Sequence, residues 1–199
     1  MSHEEQFDLL TPEGLPTGKR KARSLVHRDG DWHEAVHIWL FNSKGEVLLQ
    51  KRSQCKDCYP GCWDISSAGH IPAGETPILA SHREFEEELG LEMDRIGELH
   101  FIDRVASVSH PTPTFLNREW QDVYWIAGDV PLSQFRLQAS ELEAVRYVPV
   151  SEVLRAAREQ DPSFTPMGGP SYRGVLEELA RIGAQLATKG AEEGGAAAK

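Results

Sequence analysis

The 199-residue chain contains no apolar run approaching the roughly 18 residues that a membrane-spanning helix needs. It is also short of positive charge. Lys and Arg number 21 against 31 Asp and Glu, for a net charge of −10. Non-specific nucleic-acid binding depends on Lys and Arg neutralising phosphates, so no nucleic-acid partner is expected. A small phosphorylated ligand is still allowed, because a bound divalent cation inverts local charge. Cysteine is scarce, and Cys55, Cys58 and Cys62 all fall in one short stretch. An odd, clustered set makes no disulfide framework. Cys55-x-x-Cys58 lacks the second ligand pair that a four-coordinate zinc site requires. The expectation is therefore loop thiols in a reducing compartment. The opening residues, Met1-Ser2-His3-Glu4-Glu5-Gln6, are polar and acidic, unlike a secretory signal. A cytoplasmic protein with no membrane partner is expected.

An apolar fraction of 40% at this length suits a single domain with a real core. We expect a flexible tail over 1–6, one domain over 7–189, and a disordered tail over 190–199, where AEEGGAAAK is low in complexity. Residues 7–10 read as a short strand into a turn. The basic stretch 19–23 reads as a solvated face. From Glu34 to Phe41, Ala35, His37, Trp39 and Phe41 alternate with Val36, Ile38 and Leu40. Both faces are apolar, so the strand is central, and His37 reads as a core histidine. Asn42–Gly45 is a hairpin turn into a second strand over 46–52. Short strands are expected over 63–68, 99–108, 122–127 and 144–149, and helices over 151–158 and 171–189. The stripe Val175, Leu176, Leu179, Ile182 and Leu186 reads as a face packed on the chain's own sheet. Strands mixed with a few helices indicate an α/β or α+β sandwich.

The clearest helix is 76–89. Thr76 suits the N-cap, Pro77 the first helical position, and Gly90 the stop. Ile78, Phe85 and Leu89 form its apolar stripe. Glu84, Glu87 and Glu88 are spaced i, i+3, i+4, so they share one face. They crowd the helix's negative dipole end. Each like-charge contact there costs roughly 0.2–0.5 kcal/mol. A solvated acidic face is the plain reading of such a run. A hard cation offers another, because it takes carboxylate oxygens and leaves positions for water and phosphate.

The flanking residues decide between the two. Gly69, Glu75, Arg83-Glu84, Glu87-Glu88 and Gly90 match the pattern G-x5-E-x7-R-E-U-x-E-E-x-G-U at every fixed position. Phe85 stands where an aliphatic residue is usual. The chain thus resembles the Nudix hydrolase superfamily. The resemblance implies an α/β/α sandwich with a mixed sheet and a loop–helix–loop catalytic motif. It implies Mg²⁺, with Mn²⁺ as an alternative, on Glu84, Glu87, Glu88 and the Gly69 carbonyl. It gives Arg83 and Glu75 a structural pairing. It implies water attack on a small-molecule diphosphate, with Glu87 first and Glu119 second as the proton acceptor. A homodimer is left open.

Residues 33–42, 47–53, 59–63 and 64–70 further resemble the isopentenyl-diphosphate isomerase branch, and most closely its isomerase-like hydrolases. Arg52 and Lys56 match residues that grip the diphosphate there. His27, His33 and His70 match a second metal site, with His70 also beside the substrate. Two departures separate this chain from a true isomerase. Ala68 stands where that enzyme has a catalytic cysteine, and Gln121 where it has the second carboxylate of a Glu-x-Glu pair. The expected function is hydrolysis of a nucleoside diphosphate derivative or related organic diphosphate. The alternative is an isoprenoid diphosphate phosphohydrolase or an isomerase-type activity. A non-catalytic sensing module would predict lost motif glutamates, and none is lost. Whether 109–117 forms a specificity loop is open.

Overall fold

The computed structural model describes residues 4–167 and 169–197. A hairpin of β1 (Gln6–Leu10) and β2 (Pro16–Ala22) leads into a short helix α1 (Arg23–Asp29). The central strand β3 (Trp32–Phe41) turns at Asn42–Gly45 into β4 (Glu46–Arg52). The Asn42 side-chain oxygen accepts from the Lys44 and Glu46 amides, which sets the turn. Then come β5 (Trp63–Asp64), β6 (Ser67–His70) and helix α2 (Pro77–Leu89). The long strands β7 (His100–Thr112) and β8 (Phe115–Ala127) form a hairpin. The chain ends with β9 (Leu142–Pro149), α3 (Val150–Glu159) and α4 (Arg173–Ala197).

β3 organises the sheet. β8 runs parallel to it along its whole length, from Trp32 opposite Arg118 to Phe41 opposite Ala127. Its other edge is shared by three antiparallel partners. β1 meets it at Trp32, β6 at Ala35–Ile38, and β4 only at Phe41. The hairpin partner β4 therefore diverges at once and pairs with β9 and β5 instead. That divergence admits β6, the strand that carries Gly69, against the middle of β3.

The alternation of β3 divides two cores. Trp39 and Phe41 pack with Val153, Val175, Leu179 and Ile182 of α3 and α4. Val36, Ile38 and Leu40 pack with Ala80, Phe85 and Leu89 of α2. Helices thus cover both faces, giving the expected α/β/α sandwich with a mixed sheet. The α4 stripe is packed on its own sheet, as its spacing predicts.

Several expectations differ from the structure. Ile78 is 46% exposed, and its place against the sheet is taken by Ala80 and Ser81. The buried stripe of α2 therefore begins at Ala80. The strand expected over 99–108 runs on to Thr112, and 109–117 form the tip of the β7–β8 hairpin. Helix α1 was not expected: it has no side-chain cap at its start, although Gly30 closes it in the left-handed conformation. Gln6 belongs to β1 rather than to a loose tail, with Met1–His3 outside the described residues. The expected tail from 190 is helical as far as Ala197, with 198–199 outside the described residues.

Burial sets a clear expectation for α2. Replacing Phe85, which is fully buried, with Ala should cost about 3–5 kcal/mol. Ile78→Ala should change stability by less than about 0.5 kcal/mol. Urea denaturation of the two variants checks this, and equal losses would refute the register of the helix.

Candidate active site

Thr76 caps α2 by accepting from the Leu79 amide, and Gly90 closes it in the left-handed conformation. The helix therefore presents its last two turns in a fixed orientation. Arg83 projects from it and gathers the preceding loop. Its guanidinium donates to both Glu75 carboxylate oxygens at 3.0–3.3 Å and to the His70 carbonyl at 3.3 Å. It also donates to Glu84 at 2.8 Å and reaches Glu87 at 3.5 Å. The expected pairing of Arg83 with Glu75 is present, and the same cation also neutralises two of the three clustered glutamates.

The glutamates differ in environment. Glu87 is about half exposed and faces a cavity. Glu84 is mostly buried, and burial pushes its carboxyl up despite Arg83 beside it. Glu88 is buried, with its carboxylate near the Ala68 amide at 3.3 Å, and it forms no salt bridge among the described residues. Desolvation, with Glu84 adding like charge, pushes its carboxyl up to about 8. Gly69 lies directly under Glu84. A Cβ added there would overlap the Glu84 carboxyl group, so only glycine lets β6 approach the helix this closely. The donors on offer are oxygens alone, the set that a hard cation such as Mg²⁺ takes.

A second cluster lies beside the first, because His70 directly follows Gly69 on β6. His27, His33 and His70 bring their ligand nitrogens within 4.8 Å of one another, the only such group among the described residues. The motif glutamates are more widely spread. Glu119 on β8 faces this cluster, 3.1 Å from the His70 Nε2 and 3.9 Å from the His33 Nε2. Its other oxygen accepts from the Gln121 amide at 2.8 Å. Burial alone would raise the Glu119 carboxyl. The two imidazoles and Gln121 instead hold it well below the usual carboxylate range. Phe7 stacks on His33 and Phe115 on His27, which keeps the cluster dry. Burial and the neighbouring imidazoles push His27 down to about 3 and His33 to about 4. Both are therefore neutral, and the Nε2 atoms of both are buried without a hydrogen-bond partner. The His33 Nδ1 lies 3.1 Å from the Asp31 carbonyl. Donation there leaves Nε2 as a free lone pair.

Glu84, Glu87 and Glu88, together with His70 and Glu119 of the second cluster, border one cavity of about 740 Å³, within the range of small-molecule sites. Arg52 and Lys56 line it, as expected, but each is already engaged. Arg52 donates to Asp64 at 3.1 Å and to the Cys58 carbonyl, and Lys56 pairs with Glu141. Incoming phosphate would compete with these carboxylates. Pro111, Phe115 and Asn117 bring the hairpin tip to the rim. Trp63 sits under the Arg146 guanidinium, and Trp120 packs near Trp32. Neither lines the cavity. Thr165 and Tyr172, which no motif marks, wall the cavity from far down the chain. His37 is half-buried and lines the cavity rather than the core.

A NUDIX domain model matches residues 31–167. The chain is 43% identical over 190 residues to Nudix hydrolase 3 of Arabidopsis thaliana. That match covers 94% of this chain but only 24% of the plant protein. It is 25% identical to an isopentenyl-diphosphate Delta-isomerase of Corynebacterium diphtheriae, over 83% of this chain and 90% of that protein. A crystal structure from Deinococcus radiodurans superposes with a TM-score of 0.63 at 20% identity. It covers 89% of this chain and 99% of its own, and shows the likeness of fold.

The buried Glu88 yields a stability prediction for metal-free protein. Its folded carboxyl holds a proton that the unfolded chain has released, so stability is full below about pH 4.5 and is lost as pH rises towards about 8. Glu88→Gln removes that loss. In EDTA the variant should match wild type near pH 4 and exceed it by about 1–3 kcal/mol at pH 8. Denaturation at the two pH values checks this, and a variant weaker than wild type at pH 8 would refute it.

Proposed function

The chain belongs to the Nudix hydrolase family, on an isomerase-like branch, and on that premise we propose that it hydrolyses the diphosphate linkage of a nucleoside diphosphate derivative with Mg²⁺. The carrying observation is the α2 carboxylate cluster at the wall of a cavity large enough for a substituted diphosphate. Glu84, Glu87, Glu88 and the Gly69 carbonyl would hold the ion, and Mn²⁺ would suit the same oxygens. When bound, the ion lowers the pKa of water and offsets charge on the leaving phosphate.

The chain's own residues supply the rest. Arg83 fixes the glutamates against the loop. Glu87 is open to the cavity and is the group best placed to take a proton from the attacking water. Glu119 is a weaker base, because its neighbours stabilise the ionised form. Arg52 and Lys56 would grip phosphate oxygens on exchanging Asp64 and Glu141 for them, the first by a fork and the second as a point charge.

The rival isomerase chemistry needs groups that move protons on carbon. Ala68 carries none, and Gln121 is an amide hydrogen-bonded to Glu119. A hydrolase is the reading these positions support. The histidine cluster supports a second divalent ion, because His27 and His33 offer buried, neutral, unpaired nitrogens beside an ionised Glu119. Elemental analysis should find that ion in wild type and not in His33→Ala, and equal metal in both would exclude the cluster.

Incubation with Mg²⁺ and a panel of nucleoside diphosphate derivatives, nucleotides and isopentenyl diphosphate tests the main reading. Mass analysis should find monophosphate or phosphate released only with metal. Glu87→Gln should lower kcat by roughly 100-fold or more. Double-bond migration in isopentenyl diphosphate without phosphate release would overturn the hydrolase.

A further inference from the structure

His37 sits in the central strand and is held by two partners from other parts of the chain. The Tyr172 hydroxyl lies 3.0 Å from the His37 Nδ1. The same oxygen accepts a hydrogen bond from the Trp39 indole N–H at 3.2 Å. An indole nitrogen can only donate, so the direction of that bond is fixed. Tyr172 is buried, and an unpaired buried O–H is costly. The His37 Nδ1 is the acceptor in reach. The relay therefore runs from Trp39 N–H to the Tyr172 oxygen, and from Tyr172 O–H to the His37 Nδ1. Burial lowers the basicity of His37, and with Nδ1 accepting from Tyr172 the neutral ring carries its proton on Nε2.

That Nε2 makes no hydrogen bond to the protein among the described residues, and His37 lines the cavity. The positions beside it are small. Ala68 is its cross-strand partner and Ala35 its neighbour on the same face, and both line the same cavity. The ring is consequently reachable by a bound molecule. The backbone of Ala68 also meets Glu88 at 3.3 Å, which puts this donor beside the carboxylate cluster.

We propose that His37 offers a fixed, neutral Nε2–H to the organic group of the substrate, and that Tyr172 and Trp39 hold it in that tautomer as positioning residues. A donor placed this way selects diphosphates whose organic group carries an oxygen or nitrogen acceptor, as in a nucleoside or sugar. It disfavours hydrocarbon diphosphates, which would strip water from the N–H without replacing its hydrogen bond. This inference rests on the cavity being the diphosphate site.

Two measurements test it. Long-range proton–nitrogen NMR of wild type at neutral pH should show His37 as the Nε2–H tautomer, shifting towards a mixture in Tyr172→Phe. Calorimetry with Mg²⁺ in the Glu87→Gln background, which suppresses turnover, then compares UDP-glucose with isopentenyl diphosphate. Adding His37→Phe should lower the preference for UDP-glucose by roughly three- to ten-fold, and His37→Gln, which keeps a donor, should restore part of it. An Nδ1–H tautomer, an unchanged preference, or no binding of UDP-glucose overturns the proposal. A preference that shifts while wild type turns over neither ligand would uphold the selection and reject the hydrolase reading instead.

Discussion

The guanidinium of Arg83 is the constraint on which the site depends. Three carboxylates in two turns, at the negative end of a helix, repel one another and the helix dipole. One cation touches Glu75, Glu84, Glu87 and the His70 carbonyl. It thereby ties the loop to the helix and neutralises the cluster in part. Arg suits this role because its planar fork serves several acceptors at once, which a lysine ammonium does not. Arg83 does not reach Glu88, whose burial holds its carboxyl protonated in the metal-free fold. The helix is thus incomplete in a specific way. The protein tolerates a locally unfavourable arrangement that a divalent ion would relieve, the pattern expected where a local rule is broken for function.

Much of this was legible in the residues. The alternation of β3 divided the two cores correctly because side-chain direction in a strand follows a period of two with few exceptions. Thr76, Pro77 and Gly90 bounded α2 because caps act locally. Gly69 was legible through its spacing, and the structure supplies the reason in its contact with Glu84. What the sequence hid depends on distant partners. Ile78 fits the helical stripe, yet its burial is set by where the sheet ends, and it lies outside. Arg52 and Lys56 read as phosphate grips, but their carboxylate partners Asp64 and Glu141 come from other strands and loops. His37 read as core because both faces of β3 are apolar. Only the return of Tyr172, far down the chain, reveals it as part of the cavity. Helix α1 is short and has no side-chain cap at its start, so its local mark is the left-handed Gly30 at its end.

The two ends of the cavity differ in chemistry. At one end the oxygens are hard, partly exposed and negatively charged. At the other, His27 and His33 are neutral, buried and walled by Phe7 and Phe115. The second end resembles the isomerase branch in its ligands, but the groups that would act on carbon are gone. Gln121 illustrates the change. As a carboxylate it would repel Glu119 at this distance, whereas as an amide it donates to Glu119 and holds it ionised. A single exchange of Glu for Gln therefore turns a pair able to share a proton into a fixed acceptor facing the histidines. The cluster keeps a binding character and loses a proton-transfer one.

That loss bears on the whole cavity. With Ala68 and Gln121 in place of groups that act on carbon, a polar cavity floor fits the proposed hydrolysis. The floor between the two clusters is built accordingly. Ala35 and Ala68 leave space, and His37, Thr165 and Asp64 line the cavity beside it. Thr165 and Asp64 are already bonded to each other at 2.8 Å, so they stiffen the wall more than they offer donors. His37 is the polar group there whose outward nitrogen is unspent, and its orientation is fixed by a tyrosine that also packs in the core beneath α3 and α4. Packing of α4 against the sheet and the direction of a hydrogen bond in the cavity are thus set by the same side chain. Loosening the helix would loosen the donor, which makes the distant C-terminal half of the domain part of the site.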